Sequence, residues 1–249
     1  SYRGTMGSGK YSALSGAVAR EQAMSNIASN LANISTSGFK KNRISFAAIL
    51  RGTRQTDEAK GINYSRIRKI STDFSQGGMQ TTGRPLDVAI DGEGFFKVQK
   101  GQETYYTRSG RFMLDENGFV KTGDGANVLG AGNDPLQIDT TQGKDIYIAE
   151  NGDISVNGTV IGVQVGVFTV DDTEQLTKVG DSLYRLQQGG DRPMANARTL
   201  QGNLETSNIN MIEEMTSMIA AQRIFEANTK AIESYSNLGE RLDELGSVG

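Results

Sequence analysis

Apolar and polar positions follow two different rhythms along this chain. Near the N-terminus, Tyr11, Leu14, Val18, Met24, Ile27, Leu31 and Ile34 fall on one stripe, with Ser, Asn, Gln and Arg opposite. That spacing predicts an amphipathic helix from about Tyr11 to about Asn33. Near the C-terminus, Met211, Met215, Met218, Gln222, Phe225, Thr229 and Ile232 are spaced alternately 4 and 3 apart, a heptad seam. Ile212 and Ile219 widen it, and after Ile232 it continues out of phase through Tyr235, Leu238, Leu242 and Leu245. A second helix is predicted from about Asn210 to about Leu245, with Asn210 and Glu213 as a capping pair. Between them the rhythm changes. "LDVAIDGEGFFKVQ", "RFMLDENGFVKT", "DIYIAENGDISVNGTVIGVQVGVFTV" and "SLYRLQ" are short apolar or alternating runs broken by glycine. Asn117-Gly118, Asn151-Gly152 and Asn157-Gly158 are hairpin signals.

The predicted class is therefore α+β. Long N- and C-terminal helices form a coiled-coil-like layer, and a central antiparallel all-β domain lies between them in sequence. Residues 1–40 and 205–249 are expected to make one discontinuous helical assembly domain. Residues 41–75 and 187–204 read as connectors, and 76–186 as the β domain. A fragment from roughly Ser71 to Leu200 is expected to fold without the ends.

The end of the first helix, "NLANISTSGFKK", carries its own expectation. Gly38 would adopt the left-handed conformation just after the helix cap, which glycine reaches without a steric penalty. Phe39 would fold back onto Ile34, and Lys40 and Lys41 would lie near the negative end of the helix dipole. A β-branched residue at position 38 would then disturb this joint while leaving the β domain nearly untouched.

Composition narrows the chemistry. The chain has 249 residues and contains no cysteine, histidine or tryptophan. A disulfide framework, a thiolate metal site and the commonest general base are excluded. No run of apolar residues is long enough to cross a membrane, and no secretory signal pattern appears. Met6 reads as the natural start, with residues 1–5 a cloning remnant. The net charge of −3 argues against nucleic acid as a partner. The charge is uneven: up to residue 43, six basic side chains face Glu21 alone, a balance of +5, whereas residues 204–249 balance at −5. The two ends are electrostatically complementary, although two solvated helix faces would show the same pattern.

Candidate catalytic groups read better as turns. Asp91 and Glu93 in "DGEGFF" would suit a glycosidase pair, but Asp and Gly are what a hairpin turn requires. "DENG" lacks the glycine and glutamate of a calcium loop. Ser109 in "TRSGR" lacks a nucleophile elbow and a histidine. "TGDGANVLG" is followed by neither lysine nor helix, unlike a phosphate cradle. No catalytic, cofactor or metal residues are assigned, and no cofactor is expected.

Longer motifs carry a resemblance. "ANISTSGFK" resembles the Ala-Asn-x-x-Thr-x-Gly-Phe-Lys motif of the flagellar rod and hook proteins, with Ala32, Asn33, Thr36, Gly38, Phe39 and Lys40 in place. "PLDVAIDGEGFFKV" and "YTRSGRFMLDENGFVKTGDGANVLG" resemble the central β region of that family. "GNLETSNINMIEEMTSMIAAQRIFEANTKAI" resembles its C-terminal helix. The resemblance implies a structural subunit of the bacterial flagellar basal-body rod, not an enzyme, more like the proximal than the distal rod type. It implies export by the flagellar type III machinery without a cleaved signal peptide, a place in the rod crossing the periplasm, and assembly with itself and other rod or hook subunits to transmit torque. Besides the motif residues, Leu14, Val18, Ile27, Leu31, Met211, Ile212, Met215, Met218, Ile219, Phe225, Ile232, Leu238 and Leu242 are the expected assembly seam. Two other classes compete: a secreted, carboxylate-based glycan-active enzyme, and a coiled-coil adhesin or linker protein.

Overall fold

A computed structural model describes residues 2–48, 66–180 and 182–247. The order of elements is helix, antiparallel β structure, helix, so the α+β class holds. Helix α1 runs Tyr2–Ala32 and helix α2 runs Met211–Gly246. α2 begins at the expected cap: the Asn210 side chain accepts from the Ile212 and Glu213 amides at 3.1 and 3.2 Å. α1 starts well before Tyr11 and carries Gly7 and Gly9 in helical conformation despite their low propensity.

The chain divides into two compact units. The first comprises residues 1–32, 42–71 and 210–249. In it α1 and α2 lie side by side and antiparallel. A β-carbon on Gly9 would sit 2.7 Å from the Tyr235 hydroxyl, and one on Gly16 would sit 2.9 Å from the Asn228 amide. Ala13 and Ala17, on the same side of α1 by helical spacing, are buried, as is Ala221 on α2. Small side chains let the two helices approach closely. Large ones point elsewhere: Tyr11, Leu14 and Val18 are about half exposed. The polar end of α1 holds the next strand, since the Asn26 and Asn30 amides both donate to the Asn42 carbonyl at 3.0 and 3.2 Å.

The segment expected as a bare connector, 41–75, contains a two-stranded ribbon, Asn42–Ala48 with Arg66–Thr72. The return segment is also structured. Asp191–Pro193 pairs with Phe168–Val170, Arg198–Gln201 with Val88–Asp91, and Asn203–Glu205 with Met79–Thr81. The return strands carry few large apolar residues, yet Thr199, Leu204 and Glu205 among them are buried.

The second unit comprises residues 33–41 and 72–209. Its largest sheet has seven strands in the order Leu176–Lys178, Tyr184–Leu186, Glu103–Thr107, Phe96–Lys100, Asn127–Val128, Val120–Thr122, Phe112–Leu114. A three-stranded sheet is made by Ile146–Ile148, Asp153–Val156 and Thr159–Gln164. The recorded strand pairs of this unit are antiparallel. Each expected Asn-Gly pair sits at a turn. Asn157 and Gly158 both take positive φ, 50° and 82°, between paired Val156 and Thr159, the geometry that matches strand twist.

Two apolar clusters fill this unit. Val88, Ile90, Phe96, Val98, Phe112 and Ile138 belong to the larger; Phe95, Tyr106, Phe168 and Tyr184 to the smaller. Adjacent Phe95 and Phe96 serve different clusters because successive strand side chains point to opposite faces. Phe74 and Tyr184 pack edge-on at 5.2 Å between ring centroids.

Candidate functional site: the motif segment and a buried charge triad

The motif Ala-Asn-x-x-Thr-x-Gly-Phe-Lys straddles the boundary between the units. Ala32 ends α1, and Asn33 to Lys41 belong to the β unit. Asn33 opens a tight turn: its side-chain oxygen accepts from the Thr36 hydroxyl at 3.1 Å, and its carbonyl from the Thr36 amide at 3.1 Å. The Thr36 carbonyl then accepts from the Phe39 amide at 3.2 Å.

Gly38 is left-handed, φ 70°, as expected, but in this turn rather than directly behind the helix. It is also hemmed in. A β-carbon there would lie 2.4 Å from the Ser109 backbone nitrogen and 2.6 Å from the Arg108 carbonyl carbon. Position 38 therefore packs against the β unit itself, which overturns the expectation that a substitution there would leave that unit untouched. Phe39 is buried too. The Lys178 ammonium stands 3.9 Å from its ring centroid and donates to the Lys40 carbonyl at 2.7 Å. Ile34, its expected contact, stays half-buried.

Lys40 is not at a helix end. Its side chain is fully buried, and its ammonium donates to a Glu205 carboxylate oxygen and, at 2.7 Å, to the Ser75 carbonyl. Glu205 is equally buried. Its other oxygen accepts from Arg108 Nε at 2.7 Å, and the Gly77 amide donates at 2.9 Å to the oxygen that holds Lys40. Three further Arg108 N–H groups donate to the carbonyls of Gly92, Gly94 and Ile90 at 2.7, 2.8 and 3.1 Å. Two cations thus share one carboxylate away from water, and backbone carbonyls complete their coordination. Burial holds the Lys40 ammonium below the usual lysine range; Glu205 opposes that shift. Burial likewise pushes the nearby Tyr184 hydroxyl up.

Asn208 secures the neighbouring backbone. Its side-chain oxygen accepts from the Lys41 amide at 2.8 Å, and its amide donates to the Asp73 and Ser75 carbonyls at 2.8 and 3.0 Å. The charge contrast between the chain ends changes with this placement. Lys40, Lys41 and Glu205 act inside the β unit and Arg43 lies on the strand Asn42–Ala48, which leaves α1 at +2 and α2 at −4.

The remaining expected residues lie on the helices, where the structure sorts them by exposure. Ile27 is buried, and Leu31, Met218, Phe225 and Ile232 are half-buried. Leu14, Val18, Met211, Ile212, Met215, Ile219, Leu238 and Leu242 are exposed. Asp91 and Glu93 flank a turn with Gly92 at φ 113°, and Asp91 is paired with Arg198 at 3.1 Å. Arg108 and Glu205 were not singled out from sequence. Arg108 follows a strand and Glu205 ends one, and only the partner in a distant segment reveals the role of each.

A joint of this kind, tying both ends of the chain into a β unit while large apolar side chains stay exposed on two helices, defines a structural subunit. The comparisons with known proteins agree. Residues 11–40 match the family described as flagella basal body rod protein, residues 89–156 the flagellar hook protein FlgE/F/G D1 domain, and residues 200–245 the flagellar basal body rod FlgEFG protein C-terminal. The chain is 34% identical to flagellar basal-body rod protein FlgG of Bacillus subtilis, covering 94% of this chain and 97% of that protein. It is 33% identical to FlgF of Caulobacter vibrioides (89% and 91%) and 33% to FlgF of Mesorhizobium japonicum (95% and 97%). The chain belongs to the flagellar basal-body rod protein family, whose members are structural proteins and not enzymes. Each of the three matched segments supplies one member of the triad: Lys40, Arg108 and Glu205.

Proposed function

We propose that this rod subunit assembles helically through its terminal helices, with copies of itself and with other rod or hook subunits, to transmit torque across the periplasm. The observation that carries the reading is the exposure of large apolar side chains on both helices, reaching 78% at Ile212 and 75% at Leu245. Such side chains are stabilised only when another surface covers them. The covered positions of α2 support a coiled-coil-like pairing: Met218, Ala221, Phe225, Asn228, Ile232 and Tyr235 are alternately 3 and 4 apart. The Lys40 elbow and its motif neighbours then fix how the chain enters the β unit. Export by the flagellar type III machinery belongs to the same reading. Relatives named FlgF and FlgG are equally similar, so the proposal is for a rod subunit of either type.

Motility in soft agar tests it. A strain whose only copy carries Ile212→Ser and Ile219→Ser should export the chain and fail to spread. Normal spreading would refute assembly through this face.

A further inference from the structure

We propose that residues 37–41 are closed by a lock whose carboxylate and asparagine come from the returning chain, so that the N-terminal motif takes its final fold when residues 205–208 arrive. Its own turn supplies two backbone bonds, Thr36 to Asn33 and Phe39 to Thr36. The Asp73 amide donates to the Lys41 carbonyl at 2.9 Å, Ser75 and Lys178 bond to Lys40, and residues 205–208 supply the other bonds that hold the segment. The Gly38 amide donates to the Glu205 carbonyl at 2.8 Å, and the Ser37 hydroxyl to the same carbonyl at 3.3 Å. The Lys41 amide donates to the Asn208 side chain at 2.8 Å, and the Asn208 amide donates back to the Phe39 carbonyl at 3.3 Å. The Lys40 ammonium then closes on the Glu205 carboxylate, 165 residues away.

The electrostatics make this closure conditional. Without Glu205, Lys40 and Arg108 are two neighbouring cations in a dry site with carbonyls as their only acceptors. A buried charge stripped of its counter-ion is strongly unfavourable. Lys40, on a flexible stem at the end of a turn, can return to water and take residues 37–41 with it. Arg108 cannot follow, because it is anchored to three carbonyls beside the strand Glu103–Thr107. That strand keeps its register with Phe96–Lys100 and its own core, so the lock can open without the sheet. Opened, the segment offers Phe39 and Lys40 to solvent; closed, it hides both.

Hydrogen–deuterium exchange on the full-length chain tests the lock by comparing peptides over residues 37–41 and 96–107. In Glu205→Gln, peptide 37–41 should lose nearly all its protection, whereas 96–107 should stay protected and accelerate only as far as the loss of global stability carries it. Asn208→Ala removes bonds without stranding a charge, and should accelerate 37–41 by about threefold. Glu103→Gln, which breaks an exposed ion pair to Arg185, should change neither peptide. Wild-type protection of 37–41 in both Glu205→Gln and Asn208→Ala would overturn the proposal. So would equal remaining protection of 37–41 and 96–107 in Glu205→Gln, because the elbow would then open only with the sheet.

Discussion

In the β unit Val88, Ile90 and Phe96 are sealed from water, and even Lys40 and Glu205 are buried. On α2 Ile212, Met215 and Ile219 stand in solvent, and Ala221 is its one buried residue among those described. The two regions have apolar residues in comparable supply but spend them differently. The β unit has closed its core and uses polar groups to fix a joint. The helices meet through glycine and alanine and keep their large side chains for another surface. A region whose bulk is turned inward should lose stability when cut; one whose bulk is turned outward should lose assembly.

The largest effect should come from the triad. Glu205→Gln leaves two buried cations without their carboxylate, and the β unit should lose about 3–5 kcal/mol. Denaturant titration followed by tyrosine fluorescence measures it. The same reasoning revises the expected self-sufficiency of a fragment from Ser71 to Leu200. That piece lacks Lys40, Glu205 and the strand Asn203–Glu205, and keeps Arg108 buried without an anion. It should unfold at a clearly lower denaturant concentration than the whole chain.

Gly38→Val comes next. Left-handed strain costs roughly 1–3 kcal/mol, and overlap with the Ser109 backbone adds to it. The midpoint of the β unit should fall, where a hinge-only glycine would leave it unchanged.

Lys40→Met should cost less, within about 1 kcal/mol, because it leaves Arg108 and Glu205 as a neutral pair and replaces an ammonium with an apolar chain. It also has a pH signature. The folded Lys40 titrates below its unfolded value of 10.5, so the unfolded chain holds more protons in that interval. The cost of burying the ammonium is present below the folded pKa and is relieved as pH rises toward 10.5. Wild-type stability should therefore gain on Lys40→Met over that interval, a difference that two denaturation series across alkaline pH would show.

What the sequence made legible was local. Helices, the Asn210 cap and the three Asn-Gly turns follow from spacings within a few residues, and they appear where expected except that α1 begins earlier, at Tyr2. The strands at 42–48 and 66–72 and the three short ones between 191 and 205 escaped because they mix polar and apolar residues and pair with distant segments. The small-residue face of α1 escaped because periodicity is read from large side chains, and Gly9 and Gly16 carry none. At the site, the motif singled out Gly38, Phe39 and Lys40 but not the distant groups they touch. Arg108 and Glu205 lie 97 residues apart, and no local pattern distinguishes either from a solvated charge.

The smallest effect on stability belongs to the helix surface. Ile212→Ser with Ile219→Ser should change the melting of the purified chain by less than about 0.5 kcal/mol, since neither side chain is covered. The same pair offers the most direct test of the division between a closed β unit and an outward-facing helical one. Cells would make wild-type and doubly substituted chains in equal amounts, and mass spectrometry would give their ratio in isolated flagellar basal bodies. The account expects the substituted chain to be exported yet strongly depleted from the rod. Equal shares of the two chains would contradict it.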